Sequence, residues 1–129
     1  MEHQNANLLK RLFDAFASRD LDAVSAGLAE DVSWHTPGRS QLAGQYVGRD
    51  AVLEQFSRSA ELSEGSYRIE IEDIMASDRH ASVLFRGTAS REGRHLDLRH
   101  LALYEVVDEM VQAVWVTPFD QRAFDAFWA

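Results

Sequence analysis

Between Asn5 and Ser18 the apolar side chains Leu8, Leu9, Leu12, Phe13 and Phe16 recur three and four residues apart, which predicts an amphipathic helix. Asp20 has the character of a cap for a second, shorter helix. Its face of Leu21, Val24 and Leu28 extends the burial until Gly27 weakens it. At Asp31 the period changes to two: Val32 and Trp34 alternate with Ser33 and His35, and Thr36, Pro37 and Gly38 end the run as a strand followed by a turn. Residues 38–48 hold three glycines with Arg39, Gln41 and Gln45 and read as a covering loop. Helical spacing then returns. Asp50 falls in a favourable first turn, and Val52, Leu53, Phe56 and Ala60 form a buried stripe up to Ser63.

From Ser66 onward Tyr67, Ile69 and Ile71 alternate with Arg68, Glu70 and Glu72, a strand with one wet face. A turn at Ser77 to Arg79 leads into a strand over Ala81–Ser90, and Glu92-Gly93 offers a hairpin. Two further strands cover Leu96–Val107 and Met110–Thr117. Asp120 suits the cap of a last helix bearing Phe124, Phe127 and Trp128. Helices first and a meander of long strands afterwards predict an α+β domain, with a curved antiparallel sheet wrapped around the N-terminal helices into a cone. The apolar inside of such a cone can remain partly unfilled and receive a small molecule.

Composition narrows the functions. The 129 residues carry 13 Lys and Arg against 21 Asp and Glu, a net charge of −8 that disfavours nucleic acid and anionic membrane surfaces. With no cysteine there is no disulfide framework, thiolate nucleophile or sulfur-ligated zinc. No stretch approaches the roughly 18 apolar residues of a membrane span, and the polar start at Met1 to Arg11 is unlike a signal peptide. These features predict a cytoplasmic single domain over residues 1–129.

The order of elements resembles the nuclear transport factor 2-like superfamily, and more narrowly its SnoaL-like group. The resemblance rests on Asp31-Val32-Ser33-Trp34 running into Pro37-Gly38, on Gly44-Gln45-Tyr46-Val47-Gly48-Arg49-Asp50-Ala51, and on Arg99-His100-Leu101-Ala102-Leu103-Tyr104. Val114-Trp115, Asp120-Gln121 and Phe124-Asp125-Ala126-Phe127-Trp128 complete it. It implies a conical fold with a deep pocket, and frequently a homodimer through the outer sheet face. The superfamily includes isomerases, cyclases, epoxide hydrolases, dehydratases and members that only bind, so activity has to be argued from residues.

A ketosteroid isomerase resembling this chain would carry a carboxylate base where Thr36 stands and a phenol where Leu12 stands; both groups are absent. Its third group, an acid on the penultimate strand, matches His100. By strand parity His100 shares a face with Leu96, Leu98, Ala102 and Tyr104, whereas His95, Asp97 and Arg99 share the other. His100 is therefore either a proton donor or acceptor, or a satisfied histidine lining the core. The epoxide hydrolase acid falls at Thr117, and Asp97 with Arg99 reads as a surface ion pair. A cyclase resembling SnoaL needs one acid near the pocket mouth. Asp120 is the candidate, with helix capping as its competing role.

Trp34, Trp115 and Tyr46, with Phe16 and Phe56, are expected to line one chamber for a small apolar molecule, Trp34 and Trp115 having inward parity in the family arrangement. Thr36 or Tyr46 would orient the substrate. The alternative for Phe16 and Phe56 is plain core filling. The five histidines do not converge: His95 and His100 face opposite ways, His3 lies in a terminus expected to fray, and His35 and His80 stand elsewhere. No metal is expected. The expected function is that of a small-molecule pocket protein. One form is a cofactor-independent acid/base catalyst on a small apolar carbonyl compound, and the alternative is a non-catalytic dimeric binding domain. For the dimer, Val114 and Val116 would form the apolar centre of the outer face.

Overall fold

A computed structural model describes residues 3–129; Met1 and Glu2 of the expected domain lie outside the described residues. In chain order the elements are α1 (Gln4–Ala17), α2 (Leu21–Ala26), β1 (Leu28–Thr36), β2 (Gly44–Val47) and α3 (Arg49–Leu62). They continue with β3 (Arg68–Ala76), β4 (His80–Arg91), β5 (Arg94–Val107), β6 (Met110–Pro118) and α4 (Gln121–Trp128). The six strands form one sheet in the order β2-β1-β6-β5-β4-β3.

The expected α+β cone is present, with differences that have local causes. The sheet is mixed, because β1 lies parallel to β6 and all other pairs are antiparallel. The covering loop contains β2, which pairs Tyr46 with Trp34 and Gln45 with His35. Leu28 belongs to β1 rather than to the second helix. Gly27 closes α2, and the Leu28 side chain is buried while Leu21 is exposed. His3, expected in a fraying terminus, caps α1: its Nδ1 accepts from the Asn5 N–H at 3.0 Å, and its Nε2 lies 3.0 Å from Asp78 Oδ1. This side-chain cap occupies a donor that the first helical turn leaves free.

Bulges bend the sheet. One interrupts β3 between Ile71 and Asp73, and another separates the Glu105–Ala113 and Val106–Val111 pairs. At the second, β6 spends one extra residue, Gln112, against two consecutive residues of β5, so its alternation changes phase. Val111 points inward. Beyond the bulge it is Val114 and Val116 that face the interior, and Trp115 faces out. Counting straight through β6 thus gives the wrong side for all three of these residues, which corrects both the inward Trp115 and the outer-face Val114 and Val116. The outer face instead carries Trp115 opposite Leu103, each about two-fifths exposed, with the His35 ring stacked on the indole at 5.5 Å.

Two apolar clusters hold the layers together. The larger joins α1, α2 and α3 to the concave sheet face through Leu9, Val24, Val32, Val52, Val83, Val111 and Val114. The smaller unites Phe124, Phe127 and Trp128 of α4 with Leu42, Ala89 and Leu96. Gly38, at φ +103°, makes a close approach between the loop and α4 possible. A Cβ there would meet the Asp125 carboxylate, whose Oδ1 accepts from the Arg39 N–H at 3.1 Å.

Candidate ligand chamber

Aromatic packing leaves a chamber between the helices and the concave sheet face. Phe16 meets Phe56 edge-on at 5.3 Å, Phe56 meets Trp34 at 4.9 Å, and Trp34 approaches Tyr104 at 6.2 Å. Phe13 lies 5.8 Å from Phe85. Edge-to-face contacts set these rings at steep angles to one another around it. The cavity is about 120 Å³, and its lining contains no Asp, Glu, Lys or Arg. For scale, an apolar cavity of roughly 150 Å³ accommodates benzene.

His100 is in that wall, 1% exposed, where β5 turns its even-numbered side chains inward. Its ring is stacked on Phe85 at 4.8 Å and meets the edge of Phe124 at 5.6 Å. Neither ring nitrogen has a hydrogen-bond partner. Burial among apolar rings pushes its pKa down to about 4, against a smaller upward pull from the nearby Leu98 backbone, which makes no well-aligned bond to it. The imidazole is therefore neutral at pH 7, with one donor and one acceptor nitrogen. Gly87, on the adjacent strand, leaves it room: a Cβ there would lie 3.2 Å from His100 Cε1 and 3.3 Å from Tyr67 Cε1.

The other expected residues separate into two groups. Trp34, Thr36, Phe16 and Phe56 line the chamber together with His100. Tyr46, Trp115 and Asp120 do not. Tyr46 packs against the main core and donates its hydroxyl to the Leu42 carbonyl at 2.8 Å, so its polar end is committed to the loop. Trp115 is on the convex side of the sheet. Asp120 caps α4, its Oδ1 accepting from the Ala123 N–H at 3.0 Å, and it is exposed. Asp97 and Arg99 share the outer face as expected but do not pair with each other. Asp97 instead takes Arg86 of the adjacent β4 at 2.6 Å, and Arg99 reaches across β4 to Glu72 of β3 at 2.8 Å.

Several polar chamber residues lie outside the sequence reading. Gln55 of α3, 6% exposed, accepts the Thr36 hydroxyl through Oε1. The buried phenols of Tyr67 and Tyr104 are pushed well above their ordinary pKa by desolvation, so both stay protonated donors. Trp128 Nε1 is buried without a partner. Gln55 was legible as a polar interruption in the stripe Val52, Leu53, Phe56, whereas Tyr67 and Trp128 show only as ordinary apolar positions. Among the described residues no group of three or more His, Cys, Asp or Glu is arranged to hold a metal ion.

A curved six-stranded sheet closed by helices is the fold this chain shares with nuclear transport factor 2-like proteins. Within that class the chain belongs to the SnoaL-like domain family, whose model matches residues 9–114. It is 33% identical to Bal32a, from a soil-derived mobile gene cassette, with a TM-score of 0.95 over 98% of this chain and 97% of that one. An uncharacterized protein of Mycobacterium tuberculosis H37Rv is 32% identical over 124 residues, 95% of each chain. A Xanthomonas campestris protein of unknown function with a cystatin-like fold is 25% identical, with a TM-score of 0.92 over 97% and 98%. Structures provisionally named as a polyketide cyclase and a ketosteroid isomerase share the fold alone, at 23% and 22% identity and TM-scores of 0.73.

Proposed function

We propose that this chain is a pocket protein that binds a small, flat, mostly apolar molecule bearing a carbonyl-type oxygen, with His100 as a polar contact. The observation that carries this reading is the buried imidazole with both nitrogens unpartnered in a chamber lined mostly by rings and aliphatic groups. An orphaned buried polar group costs roughly 1–3 kcal/mol, and a ligand oxygen in contact with it offsets that cost on binding. The size of the chamber suits a single ring.

Proton transfer on such a compound, of isomerase, cyclase or dehydratase type, is the second reading. It is supported by the pairing of a donor and an acceptor nitrogen in one neutral group, in a chamber that two protonated phenols also line. The low His100 pKa makes a weak base at neutral pH, and no carboxylate joins it in the lining, which favours binding over catalysis. The same proposal includes a homodimer through the outer sheet face, centred on Leu103 and Trp115.

Acetophenone tests both readings by calorimetric titration and by proton NMR in D2O. Saturable binding that weakens about fivefold in His100→Ala supports the pocket proposal. Absence of binding, or undiminished binding by the variant, overturns it. Deuterium entering the acetyl methyl group faster with the wild type than with His100→Ala assigns proton transfer; equal rates leave binding alone.

A further inference from the structure

The polar groups first expected to orient a ligand are already occupied. The Tyr46 hydroxyl is donated to Leu42, and the Thr36 hydroxyl is donated to Gln55 Oε1. That second bond has a chemical consequence. By taking the oxygen end of the amide, Thr36 fixes which end remains. The Gln55 Nε2 has no acceptor among the described residues, although the side chain is more than nine-tenths buried and lines the chamber. A primary amide is a donor at nitrogen and an acceptor at oxygen, so the end left over for a ligand is the N–H donor.

Gln55 and His100 sit apart. Thr36 ends β1, and His100 is on β5, with β6 between them. Gln55 reaches the chamber from α3 and His100 from a strand two places from Thr36 in the sheet, so the two polar groups stand on different walls. The register across β1, β6 and β5 sets Val116 and Ala102 beside Thr36 on the way to His100, and they offer an apolar surface to the middle of a ligand.

We infer that Gln55 is a second ligand-binding residue, whose amide N–H selects a two-ended compound carrying a hydrogen-bond acceptor at the end remote from His100. The class is a neutral ring or short conjugated system with carbonyl-type oxygens at opposite ends. A charged group is disfavoured, because the lining holds no ion to pair with it. The inference deepens the pocket reading and rests on it. Thr36 is a positioning residue in this scheme, acting on the ligand through the orientation of the amide.

The test compares 1,4-diacetylbenzene, with two acceptors, against acetophenone, with one, by titration calorimetry on the full chain. Wild type should bind the two-ended probe about fivefold more tightly, the effect of one net hydrogen bond. In Gln55→Met that preference should fall to about one. Thr36→Val frees the amide to present either end and should give an intermediate preference. An unchanged preference in both variants overturns the role of Gln55 and leaves the pocket reading intact. Failure of acetophenone itself to bind the wild type overturns that reading and this inference with it. If Gln55→Met binds neither probe, the Thr36→Val preference decides: intermediate supports the inference, and wild-type preference overturns it.

Discussion

His100 titrates in a way that distinguishes it from an exposed histidine. Its folded pKa of about 4 is below the ordinary value of 6.5, so between those limits the unfolded chain binds a proton that the native chain refuses. Above pH 6.5 the group adds no pH dependence. Below it, native stability falls as the pH falls, by about 1.4 kcal/mol for each pH unit down to about pH 4. His100→Gln lacks this contribution. The difference in unfolding free energy between the two proteins, measured in urea at pH 7, 6, 5 and 4, should therefore shift toward the variant as pH decreases. A difference independent of pH would mean that the imidazole is not held neutral. The inward direction of this side chain was readable from strand alternation alone, because β5 runs without a bulge from Arg94 to Glu105. Its lack of partners was not readable, since that depends on Phe85 and Phe124, fifteen and twenty-four positions away in the chain.

Among the elements, α4 joins the chamber through Phe124 and Trp128 and is held at both ends by polar contacts. Asp120 caps its start, and Arg91, Arg94 and Gln41 donate to main-chain oxygens between Ala126 and Ala129. Asp120→Ala should lower stability by about 1 kcal/mol, and Asp120→Asn should restore most of it, because the asparagine side-chain oxygen caps equally well. Binding of acetophenone should be unaltered in the asparagine variant. Thermal unfolding and the same titrations check this, and a loss of ligand binding in Asp120→Asn would return the carboxylate to the site. Helices α1, α3 and α4 were legible from apolar spacing, and the cap of α4 from Asp120 itself. What misled was β6. Alternation is a local rule, and the residue that breaks its phase, Gln112, is extra only relative to the partner strand. The short strand β2 was hidden for a similar reason: the glycines at 38, 44 and 48 make its surroundings read as loop, and the edge of β1 supplies its hydrogen bonds.

On the scale of the whole molecule, the convex face combines Trp115, Leu103 and Val107, all partly open to solvent, with the Arg86–Asp97 and Arg99–Glu72 pairs. The proposed dimer predicts that Leu103→Asp converts the protein to a monomer in analytical ultracentrifugation at micromolar concentration, with its far-ultraviolet circular dichroism unchanged. A wild type that sediments as a monomer defeats the dimer proposal. No helix among the described residues is long and apolar enough to cross a membrane.

The parallel pairing of β1 with β6 also bears on how the chain reaches this state. Residues 28–36 are made early but must wait for residues 110–118 before their second edge is filled, and β5 waits for the same segment. Closure of so long a loop is entropically slow. Until residues 110–118 dock, the cone therefore stays ajar and its greasy hollow remains in contact with water.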